Sequence, residues 1–163
     1  MSFSQWPVTE ELKEYIINGF NIIKKSDYNY KQKSAALNQL LALGAGAGWR
    51  PKAITIGALK LFVTNNFKKP NGLERAHEFH RRDTVKILIE KNWENNEWWQ
   101  WFYERDFTIL STRNENRDEQ NFMKVKKFPI PIELKLFSGK RVGFVYDKKE
   151  KLFLQDLAKD ISQ

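Results

Sequence analysis

Apolar residues in the first part of the chain recur every three to four positions. Leu12, Ile16, Phe20 and Ile23 follow Thr9 and the acidic pair Glu10 and Glu11, so the spacing predicts an amphipathic helix capped by Thr9. Carboxylates then meet the positive helix end, and Lys24 and Lys25 suit the negative one. A second helix is expected over "QKSAALNQLLAL", stopping at Gly44, and a third from Pro51 through Leu59, Leu61 and Phe62, with proline at the first helical position. "KKPNG" breaks the chain before a fourth helix, expected to hold Leu73, Ala76, His77, His80, Thr84, Ile87 and Leu88 on one inward stripe.

The period then shortens. "FTILST" and "FPIPIELKLF" read as strands, the second alternating Ile130, Ile132, Leu134 and Leu136 against Pro131, Glu133 and Lys135. "RVGFVY" follows the turn "SGK" and is expected to pair with it as a hairpin. "DKKEKLFLQDLAKDI" predicts a C-terminal amphipathic helix with Asp147 as N-cap and Leu152, Leu157 and Ile161 inward. The expected fold class is α+β: an N-terminal layer of four to five helices, then a small antiparallel sheet and a C-terminal helix.

A length of 163 residues, 41% of them apolar, suits one domain spanning 1–163 that buries about two-thirds of its unfolded surface. Without cysteine there is no disulfide, thiolate metal site or cysteine nucleophile. "MSFSQWPVTEELKE" lacks the basic and apolar regions of a signal peptide, and "AITIGALKLFV" is interrupted by Lys60 and too short to span a bilayer. A cytoplasmic protein without a membrane partner is the expectation.

The net charge of +8 changes the picture, because lysines and arginines that neutralise phosphates release counterions and gain affinity. It is unevenly spread: residues 1–70 carry +6, residues 71–122 carry −3 and residues 123–163 carry +5. Nucleic acid is the expected partner, held by Arg50, Lys52, Arg82, Arg117, Lys124, Lys126, Lys127, Lys140 and Arg141. A solvated basic surface accounts for the same charge. The glycines of "LGAGAGWRP" do not make a phosphate loop: no Lys-Ser or Lys-Thr follows them, and the preceding segment reads as helix.

The only two histidines, His77 and His80, stand in "ERAHEFHRRD". Their separation of three falls one short of the H-E-x-x-H zinc helix, and Glu74 with His77 supplies just one of the two Glu-x-x-His pairs that a dimetal bundle uses. Metal-independent cleavage of RNA fits better. A histidine works as general base or acid, arginine stabilises charge developing on phosphoryl oxygens, and the 2′-hydroxyl is the nucleophile. The residues expected to carry it are His77, His80, Arg81 and Glu78, with Arg113 and Glu115 from "STRNENR", where Asn116 and Arg117 also stand. A buried polar network that merely orders the core explains the histidines too.

Two alternatives draw on other segments. "NWENNEWWQWFYERDF" holds four of the six tryptophans, and on a helix Trp99 and Tyr103 share a face distinct from that of Trp98, Trp101 and Phe102. That second face suits a non-catalytic protein-interaction or adaptor module, phage- or defence-related, or simply core packing. In "PIELK", Glu133 and Lys135 resemble the E-x-K element of the PD-(D/E)xK nuclease superfamily. The resemblance implies Mg²⁺ held by Glu133 and an upstream aspartate, Asp106, with Lys135 activating water. Nucleic-acid binding without chemistry is a further possibility.

Overall fold

A computed structural model describes residues 9–44, 51–68, 70–131, 134 and 148–161. They form an α+β protein whose elements group into two compact units, each built from two stretches of the described residues. Of the described residues, the helical unit comprises 9–44 and 77–107, and the mixed unit comprises 51–76 and 108–161. Among the described residues no helix is long and apolar enough to cross a membrane.

The helical unit follows the apolar periodicity closely. Helix α1 (Glu10–Lys25) begins where Thr9 accepts a hydrogen bond from the Leu12 amide, and it buries Ile16 and Phe20. Helix α2 (Tyr30–Gly44) starts earlier than its apolar run because Asn29 and Gln32 cap it reciprocally, each side-chain carbonyl accepting the other's amide at 3.0 Å. Gly19 lets the two helices approach: a Cβ there would lie 2.8 Å from a methyl of Leu40. Helices α4 (Arg81–Glu90) and α5 (Glu97–Tyr103) complete the core, where Val85, Leu88, Trp98, Trp99 and Phe102 meet Leu37 and Leu41 and Trp98 stacks on Phe20 at 3.9 Å. Lys24 donates to the carbonyls of Leu88, Ile89 and Lys91, placing a cation on the negative end of α4. Burial, then the charge of Lys33, lowers its pKa.

The mixed unit departs from the expectation. Pro51–Thr55 is strand β1, not the first turn of a helix, and helix α3 begins at Ile56 and runs to Thr64. An apolar-rich segment broken only by Lys52, Thr55 and Lys60 has no clear period to separate strand from helix. Here β1 is a central strand, paired on both edges, and the Thr55 hydroxyl marks the change by accepting the Ala58 amide. Leu73–His77 is also a strand, β2, entered through Gly72 at φ +80°. The inward stripe expected over residues 73–88 therefore does not exist: His77 closes a strand, His80 is the exposed N-cap of α4, and Ile87 is exposed.

Strand β3 (Thr108–Thr112) stands as expected and is followed by the short helices α6 (Arg113–Arg117) and α7 (Glu119–Phe122) and by strand β4 (Lys127–Pro129). The sheet order is β2-β3-β1-β4 and the sheet is mixed, not purely antiparallel. Strands β1 and β3 run parallel, with Ile54 opposite Leu110; β1 and β4 run antiparallel, with Ile54 opposite Phe128. The pairs Arg113 N→Gly72 O and Glu78 N→Phe107 O run in opposite order along the chain, so β2 is antiparallel to β3. Helix α8 (Lys148–Lys159) packs on α3 through Leu154, with Leu157 and Ile161 partly buried against the same core, while Leu152, expected inward, is 48% exposed. Ile132, Leu136, the hairpin with "RVGFVY" and the Asp147 cap lie outside the described residues.

Candidate functional site

The helical unit gathers three of its ionisable side chains where two chain segments meet. After His77 the chain bends through Glu78 and Phe79, and the next helix starts at Arg81. The other segment leaves α5 through a tight turn in which the Asp106 amide donates to the Phe102 carbonyl. The Glu78 amide donates to the Phe107 carbonyl at 3.3 Å and ties the two together. Asp106 thereby receives Arg81, whose Nη2 lies 2.9 Å from Oδ1 and 3.2 Å from Oδ2, and stands 3.6 Å from Nε2 of His77. The Arg81 guanidinium also lies 5.6 Å from the centre of the Phe102 ring.

Burial sets the electrostatics. The Asp106 side chain is 7% exposed, those of Arg81 and His77 16% and 18%. Loss of water pushes the Asp106 carboxyl up to about 6, against the pull of Arg81. It pushes the His77 imidazole down to about 4, with the positive charges of Arg81 and His80 acting the same way. Desolvation lowers Arg81 as well, opposed by Asp106. At neutral pH the group is an ionised carboxylate between a guanidinium and a neutral imidazole. Asp106 faces the Nε2 edge of that imidazole at 3.6 Å, beyond the reach of a direct hydrogen bond.

The mixed unit has a second carboxylate cluster, around Glu115. Strands β1 and β3 each end in a threonine that caps the next helix, Thr55 for α3 and Thr112 for α6. One Glu115 oxygen accepts the Thr55 hydroxyl at 2.7 Å and the Thr112 amide at 2.9 Å; the other accepts the Gly57 amide at 3.2 Å. A Cβ on residue 57 would lie 2.4 Å from that oxygen, so the glycine is needed to admit the carboxylate. Glu115 thus ties together two helix starts. Nearby, Glu74 accepts Arg113 Nε at 2.8 Å and Asn116 Nδ2 at 2.9 Å, and these two hydrogen bonds hold its carboxyl below the usual range.

The remaining expected site residues are dispersed. Arg82 is exposed and lies 3.5 Å from Asp83. Arg117 lines an open hollow of about 520 Å³ with Asn114, Asp118 and Gln120. Lys124 is exposed, Lys52 is partly buried in β1, and Lys126 lies over the Phe128 ring. Lys127 donates to the Phe122 and Met123 carbonyls at the end of α7. Arg50, Glu133, Lys135, Lys140 and Arg141 lie outside the described residues.

Trp99 is 7% exposed and stacks on Tyr103 at 5.6 Å, so the face suggested as an interface is largely consumed by the core. Asp106, the upstream aspartate of the Mg²⁺ alternative, has its carboxylate engaged by Arg81, a cation where that alternative needs a metal. Among the described residues no three His, Asp or Glu side chains cluster to hold a metal ion. The pairing of Asp106 with the histidine segment leaves little trace in the sequence, because Asp106 is one of several carboxylates, with Glu94, Glu97 and Glu104, in an aromatic-rich run. Comparison of the chain with protein-family models, with curated proteins and with solved structures finds no match.

Proposed function

We propose that the protein binds RNA and cleaves it without a metal ion, with His77 as the general base. The observation that carries this reading is the Asp106 carboxylate, anchored by Arg81 and 3.6 Å from Nε2 of a histidine held neutral by its surroundings. In the step envisaged, Nδ1 of His77 takes the proton of a ribose 2′-hydroxyl as its oxygen attacks the adjacent phosphorus. The 5′-oxygen of the next nucleotide leaves and takes up a proton from solvent, giving a 2′,3′-cyclic phosphate and a free 5′-hydroxyl. In this step His77 carries its own proton on Nε2, toward Asp106, which positions the imidazole; Arg81 fixes Asp106 and adds positive charge near the phosphoryl oxygens. The net charge of +8 supports a polyanionic partner.

The test is cleavage of labelled RNA and DNA by the full chain with and without EDTA. Cleavage of RNA but not DNA, surviving EDTA and reduced by roughly 10²- to 10⁴-fold in His77→Ala, is the expected result. RNA left intact by the unsubstituted protein, or cleavage that persists in His77→Ala, sinks the reading.

A further inference from the structure

The bend between His77 and Arg81 presents an aromatic ring to solvent. Phe79 is 46% exposed, and the Arg105 guanidinium lies 5.9 Å from its ring centre. That guanidinium is itself fixed. It stacks over Trp101 at 4.7 Å, and its Nη1 donates to the Trp101 carbonyl at 3.2 Å. Trp101 in turn meets the Trp93 ring, tilted at 50° and 5.2 Å away, and Lys91 lies 4.2 Å from the centre of the Trp93 ring. Five side chains, two cations and three aromatic rings, thus form a chain of contacts in the helical unit that ends at Phe79.

A lone exposed phenylalanine is unremarkable on a protein surface. This one is different because a cation held on the Trp101 ring lies close to it, and because it stands two positions from both His77 and Arg81 in the chain. We infer that Phe79, with Arg105 beside it, is a stacking platform for a nucleobase, and that the substrate class is single-stranded RNA. The choice of RNA over other nucleic acids rests on the cleavage reading; the stacking does not.

Electrostatics favours a single strand over a duplex. Carboxylates of Glu78, Asp83 and Glu104 flank these residues in the sequence, and the whole segment 71–122 carries −3. A duplex brings a dense line of phosphates and bases already stacked on one another, so it gains little from the ring and is repelled by the acids. An unpaired base offers its face to Phe79 at low charge cost.

The experiment measures binding apart from cleavage. A fluorescent 2′-O-methyl oligonucleotide, which lacks the nucleophilic hydroxyl, is titrated with the full chain, as a single strand and as a duplex, and followed by anisotropy. Tighter binding of the single strand is expected, with Phe79→Ala weakening it by roughly 5- to 100-fold, the equivalent of one stacked base. Phe79→Trp should retain it, and the duplex should respond to neither change. Equal weakening on both forms, no change with Phe79→Ala, or preference for the duplex overturns the inference. Single-strand binding that depends on Phe79 in a protein that cleaves nothing upholds the platform and removes the nuclease; cleavage with binding indifferent to Phe79 does the reverse.

Discussion

Two carboxylates, Glu115 in the mixed unit and Asp106 in the helical unit, illustrate how differently a protein can use the same group. Glu115 is surrounded by donors that do not titrate near neutral pH: a threonine hydroxyl and two backbone amides at helix starts. Its role is complete once those bonds form. Asp106 is more deeply buried and is met by side chains that carry or can acquire charge, Arg81 and His77. Both look like candidate acids in a sequence; the partners decide which has chemistry left to do.

The most decisive way to sharpen this contrast is the same carboxylate-to-amide change at each position. Asp106→Asn removes the charge that balances a buried arginine and should destabilise the fold by about 3–5 kcal/mol in denaturant titrations. It should also reduce RNA cleavage, and remove its dependence on pH near 6. Asp106 rises from 3.8 to about 6, so cleavage by the unsubstituted protein should decline as pH falls through about 6. Unfolding does not imitate that decline. The raised Asp106 pKa contributes stability that is present below 3.8 and lost as pH rises through about 6. The lowered His77 pKa contributes stability present above 6.5 and lost as pH falls through about 4, so the two slopes oppose each other between about 4 and about 6. Glu115→Gln, by contrast, turns an amide N–H₂ toward a donor and should cost about 1–3 kcal/mol of stability without moving the pH profile.

A smaller effect tests whether Gly57 exists for the carboxylate. Gly57→Ala forces a methyl against the Glu115 oxygen and should cost about 1–3 kcal/mol. In a Glu115→Ala background the methyl has room, so the paired loss measured by thermal or chemical unfolding should be less than the sum of the single ones. Additive losses would mean that the two positions are not coupled. The smallest change expected is at Arg113→Ala: its side chain is 57% exposed, and breaking its pair with Glu74 should alter stability by under about 1 kcal/mol.

What could be read in advance follows from where periodicity and capping chemistry speak clearly. Thr9 with Glu10 and Glu11, and the spacing from Leu12 to Ile23, specify α1 almost to the residue. Residues 51–63 could not be resolved the same way, since nearly every position is apolar and the helix begins only where Thr55 folds back onto the Ala58 amide. The histidine segment misled for a related reason: over residues 73–88 an apolar pattern of mixed spacing fits a single helix as well as a strand, a bend and a helix. Of the site, the pairing of His77 with Arg81 was legible as neighbours in sequence. Asp106 lies 25 residues beyond Arg81, and only the turn after α5 brings it back. Glu115 was legible as a polar residue at a strand exit, but its three donors come from the exits of two parallel strands.

That parallel pair has a consequence for the chain as it is made. Strand β1 ends at Thr55, and its partner on one edge begins only at Thr108, with β4 on the other edge later still at Lys127. At synthesis rates on the order of 5–20 residues per second, several seconds separate the emergence of β1 from that of either partner. Throughout that interval an apolar strand with two open edges waits in the nascent protein, the form in which chains join one another. A single ribosome-bound copy is safe by isolation; a crowded polysome is where this topology is most exposed to error.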